Sequence, residues 1–148
     1  MAKYNIGLLR QITILFAEDE EDVRTSQLEV YNRLFKKVYS AANGKEAIEV
    51  FLKNKNEIDV IITDINMPDF DGLQVASKIR ENSTVPIILA TDHTDSKYTL
   101  QAIDLKIDKY LVKPVTLNEI LSAVETTVEF HKKEEQEKLI SQNLQNNS

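Results

Sequence analysis

The chain has 148 residues, the size of one globular domain with tails, and its apolar and charged fractions of 42% and 28% are ordinary for a folded soluble protein. It contains no cysteine, which excludes disulfides and thiolate metal sites. The formal net charge of -6 argues against nucleic-acid binding by this chain, because such surfaces are built from clustered Lys and Arg.

The beginning of the chain does not predict a targeting signal. Residues 1–11 contain only Leu8 and Leu9 as an apolar pair, which is too short for the hydrophobic region of a signal peptide. No later run approaches the roughly eighteen apolar residues of a membrane span. We therefore expect a soluble protein, with the cytoplasm as its default location and no association with membranes.

Short β-branched runs bounded by turn residues predict five strands, and the longer amphipathic stretches that follow them predict five helices. The predicted strands are Ile12–Ala17, Val38–Ala42, Ile58–Thr63, Ile87–Thr91 and Tyr110–Val112. The predicted helices are Glu21–Leu34, Lys45–Leu52, Gly72–Arg80, Ser96–Ile103 and a last helix from Leu117 onward. Strict alternation of strand and helix indicates an α/β fold with a doubly wound five-stranded parallel sheet, whose functional crevice lies at the carboxyl ends of the strands.

Polar side chains stand where these strands end: Glu18 and Asp19 after the first, Asp64 after the third, Thr91 at the end of the fourth and Lys113 after the fifth. Carboxylates brought this close repel by roughly 4 kcal/mol per pair at an effective dielectric near 20, so the crevice should recruit a cation. Oxygen ligands with open positions suit Mg²⁺. A carboxylate nucleophile, a metal ion, an ammonium group and a hydroxyl together indicate a phosphoryl-transfer site.

Four segments resemble the receiver (CheY-like) domains of response regulators in bacterial two-component signalling, and the resemblance covers about residues 11–128. They are Ile-Leu-Phe-Ala-Glu-Asp-Glu at 14–20, Ile-Ile-Thr-Asp-Ile-Asn-Met-Pro-Asp-Phe-Asp-Gly at 61–72, Pro-Ile-Ile-Leu-Ala-Thr at 86–91 and Asp-Lys-Tyr-Leu-Val-Lys-Pro at 108–114. The segments occur in the family's order and spacing. The resemblance implies a flavodoxin-like sheet of order 2-1-3-4-5 with five helices, which periodicity alone does not give.

The resemblance also assigns roles at the acidic end of the crevice. It implies that Asp64 is the phosphoacceptor, and that a sensor histidine kinase or a phosphotransfer protein supplies the phosphoryl group. The cofactor would be Mg²⁺ or Mn²⁺, held by Asp64, by Asp19 directly, by Glu18 through water and by the backbone carbonyl of Asn66. The protein would then be a switch that assists its own phosphorylation and dephosphorylation, and not a metabolic enzyme.

On the opposite side of the crevice, the resemblance implies that Thr91 and Lys113 contact the phosphoryl group. Tyr110 matches the switch aromatic, which turns inward as the threonine hydroxyl moves toward the phosphate. The bond between Lys113 and Pro114 matches a cis peptide of the family. The surface of the fourth helix, fifth strand and fifth helix would then change shape on phosphorylation.

Several positions depart from the family pattern or tune it. The residue after the threonine is usually small, but here it is Asp92, which would repel the phosphodonor or the phosphoryl group. Asn66 and His93 occupy the two positions that modulate dephosphorylation, although His93 fits an ordinary surface histidine equally well. Lys106 and Ile107 replace a common Gly-Ala pair, so we expect that turn to form without positive φ.

We divide the chain into an N-terminal lead (1–10), the receiver domain (11–130) and a C-terminal helical extension or linker (131–148) toward a missing output module. The extension is polar until Leu139, Ile140 and Leu144, which favours a solvated linker over a coiled coil. Homodimerisation on activation is a further expectation.

Three alternatives share parts of the pattern. The main alternative is a degenerate receiver, which works as an interaction module without phosphorylation. Asp92 is the residue that favours this alternative. An aspartyl-phosphate phosphatase would carry its paired aspartates after the first strand, where this chain has Glu18-Asp19-Glu20. A flavin or nucleotide carrier would place phosphate-binding groups there, and these acids would repel phosphate.

Overall fold

The computed structural model describes residues 5–92 and 96–146, and over these ranges the chain forms five strands and six helices. The strands are β1 (Thr13–Ala17), β2 (Lys37–Ala41), β3 (Val60–Asp64), β4 (Ile87–Thr91) and β5 (Lys109–Val112). The helices are α1 (Ile6–Leu9), α2 (Glu21–Leu34), α3 (Gly44–Asn54), α4 (Gly72–Arg80), α5 (Ser96–Asp104) and α6 (Leu117–Asn146).

The sheet is entirely parallel and has the order β2-β1-β3-β4-β5, which confirms the expected fold class and strand order. The central strands β1 and β3 are buried along their whole length, as expected for strands covered by helices on both faces. One hydrophobic cluster fills the space between the sheet and α3, α4 and α5. A second lies between the opposite face and α1, α2 and α6.

The structure has one helix more than the five expected, because the short helix α1 precedes β1. Its four residues are too few to show helical periodicity in the sequence. Asn5 caps it by accepting a hydrogen bond of 3.1 Å from the Leu8 N–H, and Leu9 is completely buried in the second cluster. The Asn5 N–H also donates to Glu125 on α6 at 2.9 Å, so this segment is attached to the domain.

The turn between α5 and β5 also differs from the expectation, because Lys106 adopts a positive φ of 56°. The Lys106 N–H donates to Ile103 O and the Ile107 N–H donates to Ala102 O, each at 3.0 Å, which is the hydrogen-bond pattern of a Schellman cap. Arg80 donates to the Lys106 carbonyl at 3.0 Å from the other side. These bonds hold a lysine in a conformation that usually favours glycine.

Asp108 connects three elements at the amino edge of the sheet, where the parallel strands begin. Its carboxylate accepts a hydrogen bond of 2.8 Å from the Ile87 N–H and lies 2.7 Å from His131 Nε2 on α6. Arg80 Nη2 at the end of α4 is 3.5 Å from the same carboxylate. These contacts hold α6 against the sheet up to His131.

Helix α6 continues beyond the domain as one helix of 30 residues. Its first half buries Ile120, Leu121, Val124 and Val128, whereas every residue from Lys132 to Asn146 is exposed. Within the described ranges, no helix combines the length and the hydropathy that crossing a membrane requires.

Candidate functional site

Asp64 is the last residue of β3 and is only 6% exposed. Burying a carboxylate is costly unless it has partners, and both oxygens of this one have a partner among the described residues. One oxygen accepts a hydrogen bond of 3.1 Å from the Asn66 N–H. The other forms an ion pair with the Lys113 ammonium. The strand thus delivers a partnered carboxylate to the carboxyl edge of the sheet.

Glu18 and Asp19 follow β1 and bring two more carboxylates to the same point. Carboxylate oxygens of Glu18, Asp19 and Asp64 all lie within 4.8 Å of one another. Glu18 is buried, its N–H donates to Ala41 O on β2 at 3.1 Å, and its side chain accepts from the Glu20 N–H at 3.2 Å. Asp19 is exposed. The sequence-based grouping of these three acids is therefore reproduced in space.

The charges in this cluster shift two pKa values. Burial raises the pKa of Glu18, and the neighbouring Asp19 and Asp64 add to this shift. Burial alone would lower the pKa of Lys113, but its hydrogen bond and charge interaction with Asp64 outweigh burial, so the pKa is raised. Lys113 therefore remains an ammonium group at neutral pH, while the acidic cluster carries repulsion that a cation would relieve.

The donor set fits a hard divalent cation. The three acidic residues offer carboxylate oxygens within the span of one ion, and Asp19 leaves the cluster open to solvent. Mg²⁺ prefers such oxygen ligands and keeps positions for water or a phosphate. Glu18 is buried beside the other two carboxylates, so a bound cation would relieve the repulsion among them.

Lys113 and Thr91 come from the neighbouring strand ends. Thr91 is completely buried at the end of β4 and follows Ala90, the register partner of Asp64. The Lys113 N–H donates to the Thr91 carbonyl at 2.8 Å, which attaches the segment after β5 to the end of β4. The peptide bond between Lys113 and Pro114 is cis, at the position where the resemblance implied one.

The other residues singled out in the sequence lie around this centre. Asp92 is exposed and lines the same cavity as Asp64 and Lys113. Tyr110 is half-buried on β5 and packs against the cluster under α3, α4 and α5. Asn66 is exposed and contributes its N–H to Asp64. His93, expected to modulate the site, lies outside the described residues.

A cavity of about 690 Å³ adjoins the acidic cluster and was not anticipated from the sequence. It lies between α2 and the beginning of α6, with Val23, Val30 and Leu117 among its lining residues. All three are large apolar side chains that are 36–40% exposed. Helical periodicity could have indicated that α2 carries apolar residues on its outer face as well as on its inner face. It could not have indicated that the outer apolar residues border the crevice.

Two glycines near Asp64 were also missed as contributors to the site. A Cβ atom on Gly72 would overlap the Asp64 carbonyl oxygen and come within 2.9 Å of Ile65 Cα. A Cβ atom on Gly44 would overlap the carbonyl oxygen of Phe70. The loop after β3 is therefore packed between the first residues of α3 and α4, and only glycine leaves room for it there. Asp71 caps α4 by accepting from the Gln74 N–H at 2.8 Å.

Comparisons of this chain with a family profile and with known proteins indicate the same family. The profile described as the response regulator receiver domain matches residues 14–125. The probable transcriptional regulator ycf27 of Cyanidium caldarium is 32% identical over 79% of this chain and 46% of its own length. The transcriptional regulatory protein SrrA of Staphylococcus aureus is 32% identical over 75% of this chain and 45% of its own. The chain thus spans about half the length of these curated relatives.

A solved structure agrees with the sequence comparisons. The crystal structure of a response regulator receiver domain protein from Clostridium thermocellum superposes with a TM-score of 0.74 at 27% identity. The superposition covers 82% of this chain and 97% of that one.

Proposed function

This chain belongs to the response regulator receiver domain family, a family of two-component signalling proteins and not of metabolic enzymes, and we propose that it is a switch phosphorylated on Asp64. The main support for the proposal is the environment of the Asp64 carboxylate. It is buried, paired with the Lys113 ammonium and within 4.8 Å of two further carboxylates at the carboxyl edge of the sheet.

The proposed reaction transfers a phosphoryl group from a histidine nitrogen of a sensor kinase or phosphotransfer protein. A lone pair on one Asp64 carboxylate oxygen forms a P–O bond as the P–N bond breaks. The electrons of the P–N bond stay on the histidine ring, which leaves as a neutral imidazole with its proton on the other nitrogen, and the product is an acyl phosphate. Asp64 must be ionised to attack, and its ion pair with Lys113 stabilises that form. Lys113 then interacts with the phosphoryl oxygens as a fixed positive charge.

The metal ion in this proposal is Mg²⁺, or Mn²⁺ with the same preference for oxygen. Glu18, Asp19 and Asp64 would hold it with the Asn66 carbonyl, and when bound it neutralises charge on the phosphoryl oxygens. Glu18 is buried next to two other acids, so its carboxylate is already in position before a metal ion binds. Preorganised charge of this kind costs no rearrangement during transfer.

Thr91 and Tyr110 form the proposed switch. The Thr91 hydroxyl would donate to the new phosphoryl group, and Tyr110 would turn into the space that the threonine leaves. Thr91 is completely buried and Tyr110 is half-buried two positions away in register, paired with Leu89. The new dianionic group would thereby favour one of two states of the surface formed by α5, β5 and α6.

The lengths of the relatives support a role in a larger regulator. The relatives named above are described as transcriptional regulators and are about twice as long as the region they share with this chain. We propose that an output module follows α6 and that α6 carries the change of state to it. Asn66, Asp92 and His93 would then set how long the phosphoryl group persists.

The direct test is to incubate the protein with Mg²⁺ and a small acyl phosphate, and to map the modified residue by intact mass and peptide analysis. We expect one labile phosphoryl group on Asp64 that disappears in Asp64→Asn and on chelation of Mg²⁺. Asp69→Asn is the matched control, because it makes the same change on the exposed loop nearby, at a φ of 68° that asparagine tolerates. It should remain modified.

Failure of both a small donor and a histidine kinase to label Asp64, under conditions that label another receiver, would contradict the proposal. It would instead favour a degenerate receiver that acts through its surface without phosphorylation, with Asp92 as the first residue to replace.

A further inference from the structure

The outer face of α6 carries a regular row of exposed side chains that extends from its first half into its exposed second half. We call this row the outer seam, and its members are separated alternately by four and three positions. They are Thr126, Phe130, Lys133, Glu137, Ile140 and Leu144, and all are exposed. This alternation is the a/d spacing by which one helix packs along another.

The outer seam points away from the domain. At about 100° per residue, its centre lies roughly 200° around α6 from Val124, which is completely buried against the sheet. A second helix could therefore lie along the seam without contacting the domain to which α6 belongs. Phe130, Ile140 and Leu144 are 58%, 59% and 68% exposed, so the seam has apolar surface to bury.

The charges in the seam distinguish the two directions in which a second copy could pack. A parallel pair in register would place Lys133 against Lys133 and Glu137 against Glu137, which is repulsive in both layers. An antiparallel pair can place Lys133 of each chain against Glu137 of the other. In an antiparallel pair, a positions face d positions, so both contacts are opposite in charge and lie in the core of the interface.

The same antiparallel register also matches the apolar positions. When Lys133 faces Glu137, Phe130 necessarily faces Ile140 of the other chain, and Thr126 faces Leu144. Each ion-pair layer is thus flanked by a layer of two large apolar side chains. No adjustment of the register is needed to satisfy both the charges and the apolar groups.

We infer that α6 is a dimerisation element that pairs, antiparallel, with α6 of a second copy of this chain through the outer seam. The midpoint of the pair lies at the level of Glu135, and the two receiver domains lie at opposite ends and on opposite sides of the paired helices. The overlap spans about three heptads with two polar layers, so the association is weak and depends on concentration. It requires no phosphoryl group on Asp64.

The test is sedimentation equilibrium of the unphosphorylated 148-residue chain over a wide range of concentrations. We expect a reversible dimer whose dissociation constant rises at least tenfold in Lys133→Glu and in Glu137→Lys. The double variant Lys133→Glu/Glu137→Lys should regain the affinity of the original protein, because the antiparallel contacts become complementary again. Lys132→Glu is the control, since it makes the same charge change on an exposed residue beside the seam and should have little effect.

A label then tests the direction of the helices independently. The chain has no cysteine, so Asn143→Cys provides a single site for a spin label. In the antiparallel register, the two labelled positions are about 24 Å apart along the axis, at a rise of 1.5 Å per residue. A parallel pair would place them side by side.

Three results would overturn the inference. They are a chain that stays monomeric at every concentration, a dimer whose affinity the two single charge reversals leave unchanged, and labels that lie side by side. All substituted residues are exposed, so circular dichroism can verify that the variants retain their helix content before any result is interpreted.

Discussion

Asp92 is the residue whose charge conflicts most directly with an anionic phosphodonor. It is exposed, lines the cavity that holds Asp64 and contributes to the charge around Lys113. We predict that Asp92→Asn increases the rate of phosphorylation by a small acyl phosphate two- to tenfold, equivalent to about 0.4–1.4 kcal/mol. Initial rates measured at low and high salt check this, because screening should reduce the difference.

Asp104→Asn is the control for that measurement, because it removes the same charge from an exposed residue at the end of α5. Equal acceleration by the two variants would show that overall charge, and not the position of Asp92, limits the reaction.

Glu18 provides a prediction that depends on pH and on metal. Burial raises the pKa of Glu18 in the folded state. The stability that protonated Glu18 contributes is therefore fully present below the pKa of the unfolded chain. It is lost as the pH rises through the higher pKa of the folded protein. Without divalent cations, Glu18→Gln should therefore unfold at a higher temperature than the original protein at pH 7. The difference should vanish below the ordinary glutamate pKa of 4.5.

Magnesium should reverse that order. At ten times its dissociation constant, Mg²⁺ should stabilise the original protein by about 1.4 kcal/mol, while Glu18→Gln gains less. Thermal unfolding with and without Mg²⁺ measures both effects. An equal gain in both proteins would argue that Glu18 does not contribute to metal binding.

The sequence predicted the proximity of residues that end neighbouring strands, but not a backbone conformation that depends on distant contacts. Glu18, Asp64 and Lys113 could be grouped because parallel strands end at a common edge. The positive φ of Lys106 could not be predicted, because it depends on the Schellman cap and on Arg80, which lies 26 positions earlier in the chain.

Among the elements, α4 is the one most closely tied to the phosphoacceptor. Gly72→Ala would force its first turn away from the Asp64 and Ile65 backbone, since neither contacted atom is on a flexible side chain. We predict a loss of about 1–3 kcal/mol in the free energy of unfolding, together with slower phosphorylation of Asp64. Urea denaturation and phosphorylation rates provide the two measurements.

Gly7→Ala is the matched control for this substitution. A Cβ atom there would meet only the Asn5 side-chain oxygen at 3.3 Å, a contact that a small movement relieves. If Gly72→Ala proved as mild as Gly7→Ala, the close packing of α4 on β3 would not constrain the site.

The elements themselves follow from periodicity to different degrees. Helices α2 and α4 begin and end at the residues expected from the sequence. For α4 the reason is a clear apolar face, which buries Leu73, Val75 and Ile79. Helix α1 is too short to show a helical period of apolar residues. Only the burial of Leu9 reveals that α1 contributes to the hydrophobic core. The last helix continues to Asn146 although its apolar spacing is interrupted after Val128.

On the scale of the whole molecule, the stable unit should end at His131. A chain that stops there keeps the His131–Asp108 contact, and the described residues that it loses, 132–146, are all exposed. We predict that, in dilute solution, its free energy of unfolding stays within about 0.5 kcal/mol of the complete chain. A chain that stops at Thr126 also loses buried Thr127 and Val128, and should be less stable by about 2–4 kcal/mol. Thermal and urea unfolding compare the three lengths, and similar losses in both truncations would contradict the boundary.

The arrangement of the whole sheet was predictable only in part. Alternation of strands and helices predicts a parallel doubly wound sheet, but the order β2-β1-β3-β4-β5 came from the family resemblance. The cavity beside the acidic cluster depends on how α2 and α6 are spaced over the sheet. Such spacing results from packing between distant segments and leaves no local pattern in the sequence.

Helix α1, tied to Glu125 and placed just before β1, has a practical consequence for measuring phosphodonor binding. From α1 the chain enters β1 at the amino edge of the sheet, the edge opposite the one at which Asp64 ends β3. Protein immobilised on a biosensor chip through its amino terminus would therefore present the acidic crevice to the flowing solution, so even a bulky kinase could reach it without touching the chip.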